Sequence, residues 1–193
     1  MNARRIYLIR HPRPAVAAGI CYGRSDLDLA EDERACAGGL LPLLPEGIAL
    51  YASPLSRCRR LAEQLHPAPR YDPRLLEMDF GEWEMQPWKS IARATFDAWA
   101  ADPLGYVPPG GESVGAMRAR VAAFLAERAA EASIALVVHA GVMKVCLAEL
   151  LLMPQQQWFA YPFDFGSATL IEAEGEGDAA RWRLAWANRK HGA

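Results

Sequence analysis

Ile134-Ala135-Leu136-Val137-Val138 is an unbroken apolar run that meets His139-Ala140-Gly141 without a spacer, then a broadly apolar stretch from Val142 to about Leu152. A strand with no polar alternation must be covered on both faces, as happens inside a parallel sheet flanked by helices. The same shape recurs. Ile6-Tyr7-Leu8-Ile9 leads into Arg10-His11, and Ile48-Ala49-Leu50-Tyr51 leads into Ser53-Pro54 and a helix expected to run to about Leu65. Each short buried strand thus delivers a polar residue at its carboxyl end, where open α/β sheets hold their ligands.

The segments between fit that plan. Ser53 is expected to cap the second helix with Pro54 at its first position, so Arg57 falls in the first turn, where orphan N–H groups already favour an anion. Pro12 to Asp32 predicts a loop, and Leu40, Leu41, Leu43 and Leu44 predict a helix interrupted or ended by Pro42 and Pro45. Residues 75–111 interleave aromatics with Gly and Pro and look helical only over Lys89–Ala100. Glu112–Glu131 reads as an amphipathic helix, with Val114, Met117, Val121, Phe124 and Leu125 inward and Arg118, Arg120 and Glu127 on the other face. Thr169-Leu170-Ile171 and Trp182 to Trp186, either side of a Gly/Glu/Asp turn, read as a hairpin. Together these predict a three-layer αβα sandwich with a mostly parallel central sheet and an antiparallel edge, one domain over residues 1–193.

Composition narrows the function. At 193 residues, 52% hydrophobic and 23% charged, the chain can enclose a core and does not read as a disordered regulator, a collagenous chain or a coiled coil. A formal charge of −2 gives no basic field for nucleic acid or an anionic membrane. The four cysteines, Cys21, Cys36, Cys58 and Cys146, are scattered without a C-x-x-C pair, and no apolar run suits a signal peptide or a membrane span. A cytoplasmic protein with reduced thiols and a small-molecule ligand is the expectation; oligomeric state is not readable.

Two histidines and two arginines converging on one crevice would suit a tetrahedral dianion such as a phosphoryl group. The chain lacks both the G-x-x-x-x-G-K-[ST] loop and G-x-G-x-x-G. Other readings compete residue by residue. His11 or His139 alone would more often be a hydrogen-bonded structural residue, whereas a cation at the Arg57 position opposes the helix dipole and so asks for an anionic partner. Arg59 and Arg60 are expected to face water, and His66 and His191 carry no role. Asp26-x-Asp28 with Glu31, Asp32 and Glu33 reads as a solvated acidic run, and neither a metal nor a cofactor is expected. Gly111-Glu112-Ser113-Val114-Gly115 matches the G-x-S-x-G nucleophile elbow, with Asp164 or Asp178 and then His191 in the right chain order for a serine hydrolase. The elbow requires a buried strand before the serine, and Tyr106-Val107-Pro108-Pro109-Gly110 cannot be one, so Ser113 is expected to start a helix.

Five segments in order now resemble a known family: Arg10-His11; Ser53-Pro54-Leu55-x-Arg57; Leu76-Glu77-x-x-Phe80-Gly81-x-Trp83-Glu84; Pro109-Gly110-Gly111-Glu112-Ser113; and Val137-Val138-His139-Ala140-Gly141. Over nearly the whole chain they are similar to the histidine phosphatase superfamily, also called phosphoglycerate mutase-like. That resemblance implies a metal-independent phosphomonoesterase in which His11 forms a phosphohistidine, Arg10, Arg57 and His139 hold the phosphoryl group, and Glu77 serves as general acid and then base. Glu82 rivals Glu77, with Asp79 and Glu84 nearby. The segment at about 78–111 lies where the family carries a substrate-facing cap, and its tryptophans either stack on substrate or pack the cap.

Glu77 to Met85 and Leu151-Leu152-Met153-Pro154-Gln155 with Trp158-Phe159 look most like the alpha-ribazole phosphatase branch, which acts in cobalamin nucleotide-loop assembly. Another small phosphometabolite, such as a sugar phosphate or nucleotide, is the alternative substrate. A catalytically weak phosphate-binding module is the alternative of a different class. Pro12 stands where the family usually has Gly, Ala17 where Asn is common, and Val138 where a small hydroxyl residue often precedes the second histidine. A phosphate donor is therefore absent at Ala17 or supplied from the Cys21–Ser25 loop.

Overall fold

A computed structural model describes residues 4–175 and 181–190. The strands are β1 (Arg5–Arg10), β2 (Ala49–Ala52), β3 (Arg70–Tyr71), β4 (Ser133–Val138), β5 (Ala168–Glu174) and β6 (Arg181–Arg189). They form one sheet in the order β3-β2-β4-β1-β5-β6. β1 and β2 each pair in parallel with β4, and β3 with β2, while β5 runs antiparallel to β1 and β6 antiparallel to β5. This is the expected mixed sheet. The hairpin's two strands stand as read; its Gly/Glu/Asp turn falls mostly outside the described residues, as do Asp178 and His191.

The helices are α1 (Glu33–Leu40), α2 (Ser56–Leu65), α3 (Arg93–Ala101), α4 (Val114–Glu127), α5 (Ala140–Leu151) and α6 (Gln155–Ala160). Consecutive β-strand side chains point to opposite faces, and in β1 both sets are apolar. Ile6 and Leu8 join Met117, Val121, Phe124, Val142, Met143 and Trp158 on one side. Tyr7 and Ile9 join Leu40, Cys58, Leu61 and Leu65 on the other. The sheet therefore lies between α4, α5 and α6 on one face and α1 and α2 on the other, a three-layer α/β fold. Among the described residues no helix is long and apolar enough to cross a membrane.

Three local expectations need correction. The helix read around Leu40–Leu44 lies earlier: α1 starts after Asp32, whose carboxylate accepts the Arg34 N–H, and Leu41–Leu43 only continues it as a tight turn that includes Pro42. The second helix begins at Ser56 and not after Ser53, because Leu55 is still extended; the Leu55 side chain cannot cap, and Asp26 from the preceding loop accepts the Ser56 N–H at 2.8 Å. The helix read over Lys89–Ala100 begins at Arg93, following a separate short turn at Trp88–Ser90.

A third apolar cluster lies off the sheet. Trp83 and Ile91 are buried there with Cys21, and Phe80, Trp88, Phe96, Trp99 and Tyr106 pack around them. Trp83 is the hub, its ring 5.9 Å from Tyr106 and 6.1 Å from Trp99. Gly81 lets the chain enter this segment: its φ is +54°, and a Cβ there would stand 2.1 Å from the Pro109 carbonyl oxygen.

Candidate active site

The carboxyl ends of β1, β2 and β4 bring the expected residues together. Arg10 is the last residue of β1 and His11 follows it, its N–H donating to the Val138 carbonyl of β4 at 3.1 Å. His139 follows β4 and stands at the N-cap of α5. The two imidazoles are 5.1 Å apart, centroid to centroid. His11, His139 and Arg57 are all buried, at 2%, 0% and 0% exposure, so none of them is a solvated surface residue.

The tautomer of His11 is fixed by one contact. Its Nδ1 lies 2.7 Å from the Pro12 carbonyl oxygen, which can only accept, so Nδ1 carries the proton and the Nε2 lone pair is free. Burial, with the Arg57 and Arg10 charges adding, holds the His11 pKa well below its ordinary value of 6.5. His139 shifts the same way, through burial first and then Arg57, His11 and Arg10. Both rings are neutral at physiological pH.

The arginines are held from behind. Arg57 donates to the Gly23 carbonyl at 2.5 Å and the Ser25 carbonyl at 2.7 Å, while its Nε is buried with no partner among the described residues. Arg10 donates to the Phe163 carbonyl at 2.5 Å and lies 3.5 Å over the Phe165 ring, again with a buried, unpartnered Nε. Buried guanidinium N–H groups without acceptors are costly.

Glu77 sits on the loop between β3 and α3. Its Oε2 accepts the Gly141 N–H and its Oε1 the Met78 N–H, each at 3.0 Å. A Cβ at position 141 would stand 2.2 Å from Oε1, so glycine there is what permits the approach. Arg120 holds the loop's backbone by donating to the Arg74, Leu76 and Glu77 carbonyls at 2.6, 2.7 and 3.1 Å, and it pairs with Glu112.

The rival carboxylates are engaged elsewhere or face solvent. Glu84 accepts from the Arg24, Ser25 and Phe80 N–H groups and the Ser25 hydroxyl. Asp79 pairs with Arg24 and accepts the Gly81 N–H, and Glu82 is exposed. In the acidic run, Asp26 accepts from Ser56, Asp28 and Glu33 pair with Arg60, Glu31 pairs with Arg13 and Asp32 caps α1. Ser113 accepts the Ala116 N–H as the N-cap of α4 and follows a loop, so the nucleophile elbow is absent. Arg59 is exposed, as expected, whereas Arg60 is only partly so.

Sequence reasoning missed several supports. Ser53 Oγ is 2.8 Å from His139 Nε2, so this hydroxyl orients an imidazole instead of capping a helix. Tyr22 lies close enough to Arg10 to act on its charge, and Arg57 lies over the Tyr22 ring with 5.6 Å from guanidinium to centroid. The Cys21–Ser25 loop therefore contributes two carbonyls and the Tyr22 ring to Arg57. Its Gly and Ser content marked it as a loop, but nothing in its composition showed which way those groups point.

Comparison with known proteins shows the family and the fold. The family described as "Histidine phosphatase superfamily (branch 1)" matches residues 6–187. An adenosylcobalamin/alpha-ribazole phosphatase of Salmonella typhimurium is 29% identical over 181 residues, covering 87% of this chain and 90% of that protein. Among solved structures, a mycobacterial glucosyl-3-phosphoglycerate phosphatase aligns with TM-score 0.82 at 26% identity, covering 97% of this chain and 100% of the other. The alpha-ribazole phosphatase of Shigella flexneri aligns with TM-score 0.81 at 26% identity, covering 98% of each chain.

Proposed function

The chain belongs to the histidine phosphatase superfamily and is a phosphatase; from that premise we propose that it hydrolyses a small phosphomonoester through a phosphohistidine at His11. The observation that carries this reading is the free Nε2 of His11, fixed by the Pro12 carbonyl and ringed by Arg10, Arg57 and His139.

In the first step Nε2 attacks phosphorus in line, the ester P–O bond breaks, and Glu77 in its acid form gives its proton to the departing oxygen. The Nδ1–H keeps donating to the Pro12 carbonyl, which supports the positive charge that phosphorylation leaves on the ring. Arg10 and Arg57 take the equatorial oxygens, and His139 supplies a further contact. Phosphoryl transfer has a loose transition state, so positioning and cationic donors supply most of the catalysis, and the arginines can neutralise the oxygens without a metal. In the second step the Glu77 carboxylate takes a proton from water, whose oxygen attacks phosphorus. The P–N bond breaks, and phosphate and neutral His11 are released.

Alpha-ribazole 5′-phosphate is the substrate we favour, on the likeness to the alpha-ribazole phosphatases and on the aromatic walls beside Glu77. A glycosylated phosphoglycerate is the second reading, because the glucosyl-3-phosphoglycerate phosphatase has an equally similar fold. We place the enzyme in the cytoplasm, in keeping with its four free thiols, and read residues 1–193 as one domain with a cap at about 78–111.

Phosphate release from alpha-ribazole 5′-phosphate, glucosyl-3-phosphoglycerate, 3-phosphoglycerate and p-nitrophenyl phosphate, with chelator present, tests this. The favoured outcome is turnover with kcat/KM highest for the ribazole ester. Highest turnover on the glucosyl ester would move the substrate. Thermal stabilisation by phosphate without turnover would leave only a binding module.

A further inference from the structure

Beside Glu77 lies a cavity of about 210 Å³. Whole-ligand pockets usually span about 300–1,000 Å³, so this one is sized for part of a ligand. Its walls come from separate stretches of chain: Met78 and Phe80 from the Glu77 loop, Trp99 from α3, and Trp158 and Phe159 from α6. The rings of Trp158 and Phe159 stack at 4.3 Å, and those of Phe80 and Trp99 belong to the Trp83 cluster, so two rigid aromatic surfaces border one space.

Polar groups in this cavity are few. Glu77 and Lys144 are the ionisable side chains lining it. The half-buried Lys144 gives one of its three N–H donors to the Phe159 carbonyl at 2.6 Å. The indole N–H of Trp99 is buried and has no partner among the described residues. An apolar space with donors and no lining hydroxyl or amide is a poor seat for a polyhydroxylated sugar, whose hydroxyls would lose water without gaining partners. It fits a flat ring that stacks along its faces and accepts a hydrogen bond at an edge.

We propose that this cavity seats a bicyclic aromatic base carried by the leaving group, and that Lys144 is a specificity-determining residue that donates to an acceptor nitrogen on that base. The inference rests on Glu77 being the proton donor to the departing oxygen, since that role brings the organic remainder of the ester to this side of the site. Lys144 serves recognition. Its removal therefore weakens discrimination between bases, an effect separable from loss of phosphoryl transfer.

Three esters with the same 5′-alkoxide leaving atom isolate the effect: benzimidazole riboside 5′-phosphate, indole riboside 5′-phosphate, and methyl riboside 5-phosphate. Indole has the shape of benzimidazole without its acceptor nitrogen. For the wild-type enzyme we expect kcat/KM to fall about tenfold from benzimidazole to indole, the size of a charge-assisted hydrogen bond, and to fall again for the methyl riboside. In Lys144→Met the benzimidazole-to-indole ratio collapses toward one, and Lys144→Arg restores a preference. A ratio that survives in both Lys144→Met and Lys144→Gln overturns the role of Lys144. A methyl riboside, or 3-phosphoglycerate, turned over as well as the two aromatic esters overturns the cavity as a base site. Failure of the phosphatase reading is distinguishable, because then no ester labels His11 of the wild-type protein.

Discussion

Glu77 and Gly141 are joined by a 3.0 Å hydrogen bond from the Gly141 N–H to Oε2, which ties the loop of the proposed acid to the first turn of the helix that follows His139. The contact exists because position 141 has no Cβ. In Gly141→Ala the added carbon would stand 2.2 Å from Oε1, and the carboxylate must move. We expect kcat/KM on alkyl phosphates to fall about 10²-fold or more, the usual worth of a placed proton donor. The loss on p-nitrophenyl phosphate should be smaller, since p-nitrophenolate departs without a proton. Equal losses on both ester types would argue against Glu77 as the acid.

The buried histidines set the pH response. His11 and His139 both have pKa values held well below 6.5 by burial first and then by neighbouring cations. Between the lowered folded pKa and 6.5 the unfolded chain binds more protons than the folded one, so stability rises with pH there. Their contribution is complete above pH 6.5 and is lost as pH falls below it, at up to about 1.4 kcal/mol per pH unit for each histidine. Urea titrations at pH 7.5, 6.0 and 5.0 would show this slope. The acid limb of kcat/KM should likewise lie below pH 6.5, because protonating Nε2 removes the nucleophile.

Glu84 is expected to influence a site it does not touch. It accepts the Ser25 N–H at 2.6 Å, and the Ser25 carbonyl in turn holds Arg57. In Glu84→Gln the same oxygen set can no longer accept every donor, and stability should drop by about 1–3 kcal/mol. Inhibition by vanadate should weaken in parallel as Arg57 loosens. Lost stability with unchanged vanadate inhibition would confine Glu84 to holding its own loop.

Trp83 is core. It is 6% exposed at the centre of the aromatic cluster that lies off the sheet, so Trp83→Ala should cost about 3–5 kcal/mol, the range for removing a buried aromatic. Thermal or urea unfolding checks this. A cost under about 1 kcal/mol would mean a cluster able to collapse around the gap.

These residues also show what a sequence exposes and what it hides. The strands were legible because Ile6–Ile9 and Ile134–Val138 leave no polar face to turn toward water, and the site because Arg10-His11 and His139 stand at the ends of such strands and Arg57 in the first turn of the helix after another. Ser53 was misread because Ser-Pro before a helix is a common capping signal, whereas here Leu55 stays extended and the hydroxyl turns to His139. The α1 boundary was missed because Ala35, Ala37, Gly38 and Gly39 give little apolar periodicity, and the bulky leucines lie at and beyond its end. Arg120 read as a solvent-facing residue, although it clamps the Glu77 loop; a long side chain can reach around a helix to carbonyls that periodicity does not register.

Trapping the phosphoenzyme tests the central claim most directly. Wild-type protein and His11→Ala would be mixed with labelled substrate, quenched in alkali and mapped by peptide. We expect an acid-labile, alkali-stable phosphoryl group on His11 of the wild type and neither label nor turnover in the variant. A label on another residue, or hydrolysis that survives His11→Ala, would contradict the phosphohistidine mechanism.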